Sequence, residues 1–176
     1  MQRVEQRTIY DSNPIIRYIF YGMTSFLLAI LHMSFLDLIS VGGVAPDLLL
    51  LLTIWIAVSE GRMPGMTVGF LSGILLDVIS DDVLGTNALA KTMAGFIAGY
   101  FYSEKNSKTL PANYAFLGVT ALSSFLHNCV YFFFYVRPTE INYFEFFLKY
   151  GLASTLYTTV AGIFPMLFKR QQQVGR

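Results

Sequence analysis

Six ionisable side chains interrupt otherwise apolar stretches of this chain: His32, Asp47, Asp77, Lys91, His127 and Lys149. Inside a membrane such groups cost about 2.5 to 3.5 kcal/mol or more each, and they are held by one another, by a wet cavity or by a substrate. Two aspartates brought together can share a proton and act as acid and base, so Asp47 and Asp77 are the one arrangement that could form an intramembrane protease dyad. Asp47 has a simpler role. It follows Pro46 directly ahead of an apolar run, and Pro-Asp is a helix-start signal through the fixed φ of proline and the attraction of a carboxylate to the helix N-terminus. Asp77 and Lys91 fall on consecutive segments at similar depth and are expected to pair, closing a helical hairpin. His32 and His127 can be neutral, hydrogen-bonded members of a bundle, and Lys149 can extend its stem to the interface. Taken together, His32, Asp77, Lys91, His127 and Lys149 could instead outline a polar pocket in one half of the membrane.

Other chemistry has no footing in the sequence. There is no H-E-x-x-H, G-x-S-x-G or P-loop pattern. The single cysteine, Cys129, sits within an apolar run and rules out an internal disulfide framework. The expectation is therefore a chain without catalytic residues, metal or cofactor. A net charge of +1 gives no electrostatic footprint for nucleic acid.

The elements that must position these residues are membrane spans. Of 176 residues 55% are apolar and 13% charged, about half the charged share of a soluble domain. With about 20 residues needed to cross the hydrocarbon core, six segments emerge: 18–39, 44–59, 63–80, 85–102, 113–136 and 143–168. The second is short, and the distribution of basic residues decides whether it crosses. Six crossings place Arg3, Arg7, Arg17, Arg62, Lys105, Lys108, Lys169, Arg170 and Arg176 on one side and only Arg137 on the other, nine against one. The fold expected is an all-α polytopic membrane protein, a single six-helix domain over 18–168 with cytoplasmic tails at 1–17 and 169–176. The opposite face carries Asp37, Asp81, Asp82 and Glu140 in short loops. The six intramembrane ionisable groups all fall in the outer half.

Gly61, Gly65, Gly69 and Gly73 recur every four residues and lead to Asp77. A glycine costs a helix about 1 kcal/mol relative to alanine in water. In lipid, small residues at this spacing let two helix backbones come into contact. Ala94, Gly95, Ala98 and Gly99 repeat the device on the next span. The two ribbons are expected either to close a hairpin or to seat a partner helix, with the lower glycines the better partner seat. The aromatic run from Tyr131 to Tyr135 is expected at the outer interface, facing lipid.

Pro46-Asp47 with Leu48 to Leu52, Ser59-Glu60-Gly61, Gly69-Phe70-Leu71-Ser72-Gly73-Ile74-Leu75-Leu76-Asp77, and Leu84-Gly85 with Ala88-Leu89 resemble the bacterial rod shape-determining protein MreD family. The motifs cover roughly Pro46 to Tyr102; beyond them the likeness is in length and hydropathy. This chain departs from the family in its short Ser80-Asp81-Asp82-Val83 turn and in Ser59, where a basic residue is common. The resemblance implies a non-catalytic scaffold of the cell-elongation complex in the bacterial inner membrane, working among membrane lipids with MreC, MreB, RodA and a class B penicillin-binding protein. It singles out Pro46, Asp47, Glu60, Asp77 and Gly85 as family-like positions. In span number and size the chain is also similar to the substrate-binding S-components of energy-coupling-factor transporters, which implies an alternative as a small-molecule or lipid-binding subunit.

Overall fold

Among the described residues the first helix runs from Pro14, four residues before the expected span, and proline is tolerated in a first turn because its fixed φ suits it and it has no N–H to leave unpaired. The computed structural model describes residues 14–40, 42–80, 83–107, 109–135 and 143–174. The first thirteen residues, Asp81, Asp82, Lys108, Arg137, Glu140 and Arg176 lie outside the described residues, as does the side chain of Asp37. The helices are α1 (Pro14–Ile39), α2 (Leu48–Glu60), α3 (Arg62–Ile79), α4 (Thr86–Ala98), α5 (Ala115–Tyr135), α6 (Tyr143–Phe146), α7 (Leu152–Ala161) and α8 (Ile163–Val174). A 3₁₀ turn, Gly99–Phe101, tightens the end of α4, and a π-turn, Phe147–Gly151, joins α6 to α7.

All six expected segments appear as helix, and among the described residues four runs are long and apolar enough to cross a membrane: Ile15–Ser34, Arg62–Ile79, Ala115–Phe134 and Phe144–Gln173. The other two, α2 and α4, have 13 residues each. At 1.5 Å per residue they reach only about 20 Å, short of a hydrocarbon core of about 30 Å. Both are instead the most enclosed helices, with eight residues buried in each. Irregular backbone at membrane depth is tolerated where protein surrounds it. That is how such short helices survive here.

The sixth segment departs most from a simple rod. Its π-turn and a break at Gly162 divide it, and α8 runs on past Phe168 to Val174 with a polar last turn. The main core cluster gathers Leu50, Ile54, Ala57 and Val58 of α2 with Ala94 and Ala98 of α4, Phe116 and Val119 of α5, and Met166 of α8. Since lipid is as apolar as leucine, this cluster coheres through dispersion contact and shape rather than through removal from water.

Two glycines make the connections short. Gly61 has φ of +102° and turns α2 directly into α3, while Gly85, at +98°, starts α4. Both values lie where side-chain-bearing residues are strained.

Candidate functional site

The glycine ladder is filled by the protein's own helices. A methyl added at Gly65 would lie 2.5 Å from Ala57 Cβ and 3.2 Å from the Gly95 carbonyl oxygen; at Gly69, 2.6 Å from the Lys91 carbonyl oxygen; at Gly73, 2.4 Å from Ala88 Cα. On α4 the reciprocal positions are as tight, with Gly95 against Gly65 and Gly99 against Arg62, and Ala94 and Ala98 have no exposed surface. The expectation of a partner seat at the lower glycines is corrected: Gly65 is covered by α2 and α4, and Gly61 lies against the Tyr102 ring.

That close approach sets up Asp77. Its side chain is 1% exposed, and it does not pair with Lys91. Instead Oδ2 accepts the N–H groups of Gly85 (2.9 Å) and Ala88 (3.2 Å), and Oδ1 accepts that of Asn87 (2.9 Å). A helix start leaves four N–H groups unsatisfied and carries partial positive charge. Asp77, from the neighbouring helix, takes up that charge in three hydrogen bonds. Gly73, one turn below, lets the first turn of α4 come within reach.

Lys91 is fully enclosed and pairs with Asp47. Its ammonium has three protons and three acceptors: Asp47 Oδ2 at 2.5 Å, Asn87 Oδ1 at 3.1 Å and His127 Nε2 at 3.4 Å. The third contact assigns the histidine tautomer. With Nε2 accepting, Nδ1 carries the proton and faces Asn128 Oδ1 at 3.4 Å. Asn128 Nδ2 in turn donates to the Gly151 carbonyl oxygen (3.1 Å) and to Thr155 Oγ1 (2.9 Å), at the end of the π-turn. Asp47 also caps α2 by accepting the Leu50 N–H at 2.8 Å, and its own N–H donates to Thr158 Oγ1 at 3.0 Å. Pro46 beside it is buried. One network thus ties α2, α4, α5 and α7 together.

The remaining positions divide. His32 stays outside the bonded network, with Nδ1 enclosed and without a hydrogen-bond partner among the described residues. Lys149 is exposed and lies over the Tyr150 ring at 5.1 Å, so the five-residue polar pocket does not form around it. The π-turn carries Lys149 away from the network. Glu60 closes the opposite end of α2: it accepts the Tyr21 hydroxyl and forms an ion pair with Arg17 Nε at 3.1 Å. The expected lipid-facing aromatic run is mixed. Phe133 and Phe134 are exposed, whereas Tyr131 stacks on His127 and Phe132 packs on Phe146 and Phe147.

As chemistry, the arrangement points to cohesion. Asp47 and Asp77 are held by different partners and do not form a dyad. Among the described residues no group of three His, Cys, Asp or Glu side chains is placed to hold a metal. A groove of about 310 Å³ is lined by Leu28 of α1, Leu48, Leu52 and Trp55 of α2, and Phe164 and Pro165 of α8, and none of the network's polar side chains lines it.

Sequence reasoning missed Asn87, Asn128, Thr155, Thr158, Arg17 and Tyr21. A signal existed for part of this: Thr120, Ser123, Ser124, His127 and Asn128 recur at helical spacing along α5 and are all buried. No curated protein and no solved structure matches the chain. The family model for the rod shape-determining protein MreD matches residues 15–169, nearly the whole described bundle, and the chain belongs to the MreD family of membrane proteins involved in rod shape determination.

Proposed function

We propose that this chain is a non-catalytic scaffold of the bacterial cell-elongation machinery, seated in the inner membrane with six crossings and both termini cytoplasmic. Its direct partner is MreC; MreB, RodA and a class B penicillin-binding protein join through MreC or directly. The observation that carries this reading is the family match over residues 15–169. The use of polar groups supports it, since Asp47, Asp77, Lys91 and Glu60 are all engaged in joining helices. The nine-to-one distribution of basic residues supports the orientation. Surface for partners is ample: Ile15, Ile19, Phe20, Met23, Phe26 and Leu27 of α1 are all exposed.

The test is purification of the tagged full chain from native membranes, with mass spectrometry of proteins and lipids, beside depletion of the chain in rod-shaped cells. Recovery of MreC with peptidoglycan-synthesis proteins, and rounding on depletion, are the expected results. A stoichiometric small ligand with no such proteins would overturn the scaffold in favour of a transporter-like binding subunit.

A further inference from the structure

The groove between α1, α2 and α8 is an apolar concavity; Trp55 is the polar side chain in its lining, and Lys169 follows its Pro165 by one turn of α8. On α2, the residues that other helices leave partly uncovered are Leu48, Leu52, Trp55, Ser59 and Glu60. Their spacing forms one stripe along the helix. Leu48 and Leu52 give the outer part of the floor only hydrocarbon. Trp55 is different. Its ring is fixed edge-on to Phe116, 5.5 Å between centroids, and its indole N–H has no hydrogen-bond partner among the described residues. A buried or membrane-level indole N–H normally finds an acceptor. Trp55 lies five residues before Glu60, about 7.5 Å along the helix, a depth at which tryptophan meets the ester and headgroup region.

The second feature is Lys169. It stands four residues beyond Pro165, on the same face of α8 and about 6 Å nearer the arginine-rich end of the bundle. It is half-buried, and no carboxylate among the described residues lies within ion-pair distance of it. By contrast Arg17 pairs with Glu60, Arg62 lies over Tyr100 at 4.0 Å, and Arg170 reaches the Tyr114 hydroxyl at 3.3 Å.

From hydrocarbon walls, a free donor at ester depth and a free cation one turn beyond, we infer that this groove is a binding site for one anionic glycerophospholipid. An acyl chain lies along Leu28, Leu48, Leu52 and Phe164, an ester carbonyl accepts the Trp55 N–H, and the phosphate faces Lys169. The dimensions suit a slender chain: about 310 Å³ is at the lower end for small-ligand sites and much smaller than two turns of a helix about 10 Å across. The inference requires that the chain lie in a bilayer and does not depend on MreC.

Trp55 is the only tryptophan, so its fluorescence reports on the site directly. The full chain is reconstituted in phosphatidylcholine vesicles containing a minority of phosphatidylglycerol, with bromine placed on the acyl chains of one lipid or the other. Brominated phosphatidylglycerol should quench Trp55 as though enriched about fivefold over its share of the bilayer, the preference one lysine near the surface provides. K169Q should abolish the enrichment, K169R should keep it, and K149Q, at an exposed lysine remote from the groove, should leave it unchanged. Quenching in simple proportion to composition in the wild type, or unaltered preference in K169Q, would overturn the inference. So would the absence of quenching by either lipid, which would mean that a second copy of the chain fills the groove.

Discussion

Replacing Lys91 by methionine tests whether the buried network is a unit. The change keeps the length and the apolar stem but removes three donated hydrogen bonds, leaving Asp47 Oδ2, with His127 Nε2 at 3.9 Å, without its cation. Removing one partner of a buried ion pair typically costs about 3 to 5 kcal/mol, because the stranded charge loses more than the pair was worth. With about 2 to 4 °C of melting temperature per kcal/mol for a chain of this size, K91M should melt roughly 6 to 20 °C below wild type. Cys129, the one cysteine and partly buried, provides the readout through its reaction with a thiol-reactive dye as the bundle opens in detergent. Asp47→Asn combined with K91M is the informative partner. Asparagine keeps an oxygen to accept the Leu50 N–H while removing the stranded charge, so the double variant should melt above K91M alone. Replacing both halves of a buried pair is often neutral. A K91M melting temperature within a degree or two of wild type, or a double variant destabilised by the sum of the single changes, would refute the coupling.

Gly73→Ala should abolish the folded bundle or cut its yield sharply, because the new methyl would meet Ala88 backbone at 2.4 Å; Gly22→Ala, with nothing within 4 Å, should be silent in the same gel-filtration assay. Asp77→Asn replaces one acceptor oxygen with an NH₂ group facing a backbone N–H, and should lower stability by about 1 to 3 kcal/mol in the dye assay. Gly85→Ala meets no neighbour but must adopt a φ of +98°, so it should cost roughly 1 to 2 kcal/mol through backbone strain alone. Arg17→Gln with Tyr21→Phe removes both groups that hold Glu60, and limited proteolysis should then cut near the start of α1 well before the rest of the chain.

The helices were legible in the sequence because each apolar run is long or carries a start and stop of its own, as Pro46-Asp47 and Gly61 do for α2. The close contact of α3 and α4 was legible in the spacing of Gly65, Gly69 and Gly73 against Gly95 and Gly99. Pairing was not. Depth along a span places Asp77, Asp47 and Lys91 within the same half of the bundle, but rotation about each helix axis decides which of them meet. That rotation follows from the glycine seam, which presses the first turn of α4 onto Asp77 and leaves the Lys91 ammonium to reach α2 and α5. Hydropathy could not place Lys149 either, because the π-turn from Phe147 to Gly151 adds a residue to the local turn and shifts the face on which it emerges.

Four of the five family-like positions contribute to helix termini. Asp47 caps α2, with Pro46 buried beside it; Asp77 caps α4, Gly85 provides the left-handed residue that starts it, and Glu60 anchors the far end of α2 to α1. Short helices deep in a membrane protein need such devices more than long ones do, because their unsatisfied N–H and C=O groups lie where water cannot reach. It follows that loss of rod shape on changing any of these four residues reports first on whether α2 and α4 form. A variant at Phe26, exposed on α1 and more than a turn beyond Tyr21, disturbs the outer surface without touching the groups that hold those termini. Loss of MreC recovery from such a variant, at unchanged melting temperature, would separate partner contact from folding in a way that no substitution at Asp47 or Asp77 can.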